Sequence, residues 1–271
     1  MSFDVAAEAY DTFMGRFSVP LAVLLADLAG VAPPGRALDV GCGTGALTRE
    51  LVARLGAGGV AAVDPSEPFV SAVRERFTGI DVRHASAESL PYRDDAFDVT
   101  LAELVVHFMT DATGGVREMV RVTRPGGVVA ACVWDFAGAR APQTPFFRAF
   151  AAVHPDVEDE TERIGGRRGD LDALLRRAGC HDVASTELSV QVVFPTFDEW
   201  WEPYTHGVAP AGRQLAMLSP ADRERVRQRA RSDLGRRPNS DCSDSLGRTR
   251  QLPVISARPS ILGDTSATVG A

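Results

Sequence analysis

The sequence predicts an α/β fold: a doubly wound, mostly parallel sheet with helices on both faces. Two observations carry that expectation. Short apolar, strand-like runs alternate with segments of helical period between residues 37 and 133. The first of those runs opens straight into a glycine-rich turn, Gly41-Cys42-Gly43-Thr44-Gly45. Strict alternation implies parallel strands covered on both faces, and right-handed crossovers fix the doubly wound arrangement.

The elements follow in order. Residues 19–30 (VPLAVLLADLAG) form an apolar helix stopped by Gly30 ahead of Pro33-Pro34. Residues 37–40 are a short buried strand. Leu47, Leu51 and Leu55 recur at four-residue spacing, one face of a helix ended by Gly56. Residues 60–63 are a second strand, ending at Asp64. Residues 67–77 are a helix with Val70, Val73 and Phe77 on one side, and 80–84 and 97–102 are the third and fourth strands. Residues 116–122 are helical, and Arg124-Pro125-Gly126-Gly127 turns into a β-branched fifth strand over 128–133.

From 135 to 169 the pattern breaks. Phe136, Phe146, Phe147 and Phe150 stand among Pro142, Pro145 and Pro155 with no clean period. An insertion after a strand's carboxyl end lies over the binding edge of such a sheet. The stretch therefore reads either as a substrate lid or as a small appendage packed through its rings. Residues 170–178 resume as a helix closed by Gly179, and 183–194 read as a long strand. Residues 195–217, with Phe197, Trp200, Trp201 and Tyr204, form a second candidate lid or substrate segment; core packing is the commoner use of such rings. Ser219-Pro220 starts a last helix, in which Arg223, Arg225, Arg227, Arg229 and Arg231 make a solvated face.

Composition removes whole classes of chemistry. The chain has 271 residues, and all 29 basic residues are Arg. Without lysine there is no Schiff-base chemistry and no phosphate-binding loop of the G-x-x-x-x-G-K-[ST] kind. A net charge of −7 gives little attraction for nucleic acid or anionic membranes. No apolar run reaches the roughly 20 residues of a membrane span. Met1 to Tyr10 does not read as a signal peptide. Cys42, Cys132, Cys180 and Cys242 form no C-x-x-C pair, which speaks against a metal site and for a reducing cytoplasm. The expected partner is a small molecule.

The glycine turn carries the functional signal. Glycines between a first strand and its helix let a ligand approach backbone N–H groups. The spacing is G-x-G-x-G rather than the dinucleotide G-x-G-x-x-G, and Asp39 stands two residues before Gly41. A carboxylate there repels a pyrophosphate and attracts an ammonium, so a nucleotide-dependent oxidoreductase is disfavoured. Asp64, at the end of the second strand, can accept both hydroxyls of a ribose. A ribose and an amino acid on one ligand describe S-adenosylmethionine.

LDVGCGTG followed by AAVDPS resembles the first two motifs of the class I S-adenosylmethionine-dependent methyltransferases. HASAESLPY and DAFDV are similar to that family's third-strand turn and fourth strand, and LAELVVHF to the stretch under the reactive sulfur. YDTFMGR, residues 10–16, resembles the N-terminal flap of the quinone-biosynthesis subgroup. The resemblance covers roughly residues 5–231. It implies cofactor contacts at Asp39, Gly41, Gly43, Gly45, Asp64, Pro65, Ser86, Ala87, Glu88 and Glu103, with Tyr10 and Arg16 from the flap. It also implies a small methyl acceptor, a quinone precursor or secondary metabolite.

No catalytic residue is required unless the acceptor must lose a proton. His107 is the nearest base by position, although a lone His after a strand is more often structural; Asp111 and His154 have weaker claims. Cys42 reads as a small filler. The family's sheet ends with a strand that this chain does not show. Residues 232–271 hold seven serines and no aromatic residue and are expected to lack stable order, 252–257 being the only strand candidate. A change of reading frame near Leu234 would account for such a tail. The methyltransferase domain is thus expected over 1–231, and the alternative to turnover is a cofactor-binding protein impaired by the missing strand.

Overall fold

The computed structural model describes residues 10–235 and the pair 263–264. Five parallel strands form the sheet: β1 (Ala37–Val40), β2 (Val60–Asp64), β3 (Asp81–His84), β4 (Phe97–Glu103) and β5 (Thr123–Cys132). Their order across the sheet is β3-β2-β1-β4-β5, and Gly263–Asp264 (β6) adds an antiparallel pair against Val128 and Val129. The order reverses direction at β1, which lies between β2 and β4. Connections leaving β1 and β4 therefore part to opposite faces and open a crevice at the strands' carboxyl ends.

Every residue of β1 and β2 is buried, as a strand covered on both faces must be. One face is covered by α1 (Arg16–Leu28) and α2 (Ala46–Leu55), through Leu21, Leu25, Leu47 and Leu51. α3 (Glu67–Arg76) covers β2 and β3 with Val70 and Val73. α4 (Ala112–Val122) and α6 (Asp170–Arg177) cover the opposite face of the sheet with Val116, Met119, Leu171 and Leu174. Between them in sequence lies α5 (Thr144–Ala151).

The two aromatic-rich segments pack together. α5 brings Phe146 against Tyr204, stacked at 4.3 Å with an 8° interplanar angle. α7 (Phe197–Trp201) supplies Trp200 and Trp201 to the same cluster, and α8 (Ala209–Met217) follows it. Phe13 meets Tyr204 edge-on at 5.3 Å, and Phe17 meets Trp134 at 6.1 Å, so the N-terminal residues belong to it as well. Of the two readings left open for residues 135–169, the packing of its rings as core is what these contacts show.

Three expectations are corrected. The final helix, α9 (Pro220–Gly235), continues four residues past Arg231. Val226, Ala230 and Leu234 recur every four residues and are all buried, so the buried stripe extends one more turn. The second correction concerns residues 183–194, which form no strand. Val190, Val192 and Phe194 are buried while Val193 is 55% exposed, a strand's alternation without a ladder. The segment packs on α1, with Phe194 at 6.2 Å from Phe17, but no described strand pairs with it along its length. In the tail expected to lack order, with 252–257 as its one strand candidate, the described strand is instead Gly263–Asp264, paired antiparallel with β5; residues 252–257 lie outside the described residues.

Candidate functional site

The loop after β1 needs its glycines for different reasons. Gly41, Gly43 and Gly45 all adopt positive φ, at 72°, 51° and 93°. A Cβ on Gly41 would stand 2.6 Å from both methyl carbons of Val105, and one on Gly45 2.9 Å from the Phe77 ring. A Cβ on Gly43 would meet nothing within 4 Å. The outer two glycines are packed against protein; the middle one faces open space.

Asp64 ties this loop to the next. Its Oδ2 accepts the Gly43 N–H at 2.9 Å and its Oδ1 the Ser66 N–H at 2.8 Å. Burial raises its pKa to about 6, against the opposing pull of those two amides. Asp39 is 1% exposed and accepts the Thr48 hydroxyl at 2.6 Å. Burial lifts it to about 7, the Thr48 bond opposing. Glu103, at the end of β4, is buried with both carboxylate oxygens unpartnered; burial, then Asp39, drives its pKa well up. Asp39, Glu103, Gly41, Gly43 and Tyr10 share one recess, and among its described lining residues none is basic. Its charged lining is acidic.

The residue after Glu103 is strained. Leu104 has φ of 60°, in the left-handed region that a γ-branched side chain seldom adopts. Leu104 and Tyr10 line the acidic recess on one side and a second, aromatic recess on the other. Tyr10 packs on Phe69 at 5.3 Å, and burial raises its phenol pKa. Next to it, Asp11 accepts from Thr44 Oγ1 and pairs with Arg76 at 2.8 Å, while Arg76 donates to the Thr44 carbonyl at 2.8 Å. This contact pins residues 11–15, a π-helical turn, on the glycine loop.

Other expected residues lie elsewhere. Arg16 is exposed at the start of α1, with its guanidinium 5.3 Å from the Phe194 ring, and does not line the recess. Pro65, Ser86, Ala87 and Glu88 also stand outside its wall, at the carboxyl ends of β2 and β3. Ser86 Oγ donates to Glu88 at 2.7 Å, and Glu88 accepts the Thr110 N–H at 2.8 Å, which steadies the entry to α4. Asp111 is the N-cap of α4, accepting from Gly114 at 2.9 Å. His154 lies 3.7 Å from Asp222, on the far side of the aromatic cluster from the glycine loop. Burial raises the Cys42 thiol, in keeping with a filler.

His107 does reach the aromatic recess. It is 5% exposed, and burial, aided by Arg163, lowers its pKa to about 3. The imidazole is therefore neutral, and a poor proton acceptor at physiological pH. We expect its ring carbon shifts to stay constant from pH 4 to 8 in ¹H–¹³C NMR; a titration centred near 6.5 would contradict the burial argument. Glu160 and Gln143, on the same wall, carry no motif. Only the packing of the aromatic segments reveals them.

A family model described as a methyltransferase domain matches residues 38–131, the span from β1 through β5 that carries the recess. The chain thus carries a methyltransferase domain. Malonyl-[acyl-carrier protein] O-methyltransferase of Halorhodospira halophila is 31% identical over 201 residues, 73% of this chain and 62% of that protein. This chain spans less than two thirds of that relative's length. Demethylmenaquinone methyltransferase of Clavibacter sepedonicus is 28% identical over 239 residues, 79% of this chain and 91% of the relative. The YcgJ protein of Bacillus subtilis shares the fold, with a TM-score of 0.54 at 18% identity over 91% of this chain and 97% of that one.

The family's cofactor, S-adenosylmethionine, carries an ammonium, a sulfonium and one carboxylate. The methyltransferase recess fits it on three counts: unpartnered Glu103 oxygens, buried Asp39, and open space at Gly43 that a side chain would fill. Asp39, Glu103 and the loop amides are the groups that would hold it.

Proposed function

We propose that this chain transfers a methyl group from S-adenosylmethionine to a small organic acceptor, a quinone precursor or secondary metabolite. One observation carries the reading: an acid-lined recess and an aromatic recess meet at Tyr10 and Leu104. The cofactor brings an electrophilic methyl group on a sulfonium. The chain's own residues do the rest. Asp39 and Glu103 attract the cationic ligand, Leu104 and Tyr10 set where the two ligands meet, and Phe13, Trp134 and Phe108 exclude water from the meeting point.

The names of the relatives support an organic acceptor, and the aromatic wall favours a ring over a nucleic acid. Among the described residues no helix is long and apolar enough to cross a membrane. Cys42, Cys132 and Cys180 are free and buried, which supports a reducing, cytoplasmic setting. Calorimetric titration with S-adenosylmethionine is expected to show one site per chain, and S-adenosylhomocysteine should accumulate with an acceptor from a panel of ring compounds. Absence of binding would overturn the reading. Binding without product would favour the alternative of a non-turning-over protein.

A further inference from the structure

The aromatic recess is not uniformly apolar. Gln143, His107 and Glu160 line it at 6%, 5% and 4% exposure, and Gln143 Oε1, His107 Nδ1 and Glu160 Oε1 all lack a hydrogen-bond partner. They come from three separate places: the residue before α5, the turn after β4, and the loop between α5 and α6. Gln143 Nε2 faces Met14 Sδ at 3.7 Å, which leaves the amide oxygen as the unused atom. Glu160 Oε1 stands 3.3 Å from Arg163 Nε but outside hydrogen-bond geometry. Arg163 itself lies over the Phe108 ring and donates to the His107 carbonyl at 3.4 Å.

Buried acceptors are almost always hydrogen-bonded in a folded protein, so three on one wall without a hydrogen bond, Glu160 being ion-paired only, point to a ligand that completes them. The surrounding rings, Phe13, Phe108 and Trp134, select a flat partner. No arginine lines this recess among the described residues, and its His107 is neutral, whereas Glu160 lines it and Glu103 is adjacent through Leu104. An anionic partner would meet the Glu160 and Glu103 carboxyls, with Arg163 already engaged by Glu160.

We propose that the aromatic recess selects a compact, uncharged planar ring bearing hydroxyl or amino donors, with Gln143 and Glu160 as the specificity-determining residues. Calling that ring the methyl acceptor rests on the methyl-transfer reading; the recognition itself does not. His107, neutral and free to take either tautomer, completes the set as donor or acceptor.

The test compares catechol with its dimethyl ether, and benzoate as the anionic ring. Binding to the full chain is read by tryptophan fluorescence, Trp134 being in the wall, with and without S-adenosylhomocysteine. Catechol is expected to bind at least about tenfold tighter than the ether, with benzoate weakest. Gln143→Met keeps the volume, removes a buried unpartnered oxygen and so should fold, and it is expected to lower that preference severalfold. Equal binding of catechol and its ether, or tighter binding of benzoate, overturns the proposal. Failure to bind S-adenosylhomocysteine overturns the methyl-transfer reading instead, and the ring preference measured without it still decides this one.

Discussion

Asp39→Asn is expected to weaken S-adenosylmethionine binding by about a hundredfold while making the ligand-free protein more stable at neutral pH. Both effects have one cause. The Asp39 carboxylate sits in a dry wall with one hydroxyl donor, Thr48 Oγ1, and no cation beside it. Burial lifts its pKa from 3.8 to about 7, so keeping it ionised costs on the order of 4 kcal/mol above that pH. Asn keeps an acceptor for Thr48 and removes the charge. A cationic ligand offsets the cost in the parent and has nothing to offset in the variant. Calorimetry with the ligand and thermal melts without it would read the two halves separately; a variant that binds as tightly as the parent removes Asp39 from the cofactor site.

The sign of the pH dependence follows. A raised carboxyl pKa contributes stability that is full below its unfolded value and lost as pH rises through the folded one. Asp39 and Glu160, at about 7, and Asp64, at about 6, all act in that direction. These three groups should therefore lower the stability of the ligand-free protein between about pH 4 and pH 7, with His107, lowered to about 3, opposing them below about pH 6.5, and Asp39→Asn should remove the Asp39 part of that slope. Ligand affinity runs the other way, falling as pH drops below about 7, because the ammonium needs the ionised carboxylate.

Gly41→Ala is expected to cost roughly 3 kcal/mol and to lower Tm by about 10 °C. Two terms contribute. A φ of 72° disfavours any side chain, and the new methyl would lie 2.6 Å from both Val105 methyl carbons. Val105 adjoins the strained Leu104, so displacing it also moves the wall shared by the two recesses. The double variant Gly41→Ala, Val105→Ala separates the terms: relief of the contact should recover part of the loss and leave the backbone part. Melts of the two single variants and the double variant, analysed as a cycle, would show it. A fully additive result would mean that the close approach carries no cost.

Much of this molecule is legible in short windows of sequence. Strands β1 to β5 and the helices between them follow from local period and punctuation, since side-chain burial on a helix or strand repeats with the backbone. The glycine loop is equally local, because positive φ is a property of single residues and glycine supplies it at low cost. The spacing G-x-G-x-G with Asp39 and Asp64 placed both acids at the carboxyl edge, where the structure has them.

Other features depend on residues far apart in the chain. The Asp11–Thr44–Arg76 contact joins positions 33 and 65 apart, and no window contains it. Arg16 looked equivalent to Tyr10 in the flap motif, yet one helical residue faces the recess and the other faces Phe194. Residues 183–194 show why a strand is harder to read than a helix. A helix satisfies its own hydrogen bonds, whereas a strand exists only if another strand lies beside it; among the described residues the alternation of Val190, Val192 and Phe194 is present with only an isolated bridge at Val190.

Backbone preferences within a few residues are enough to specify the five parallel strands and the place of the glycine loop, so both can be read from short stretches of the chain. Tertiary structure alone decided which groups are dry. It buried Asp39 and Glu103 until their carboxyl pKa values rose, held His107 neutral, and gathered Gln143 and Glu160 from separate segments onto one aromatic wall. Burial is a property of everything that surrounds a side chain, and only the folded chain brings those surroundings together.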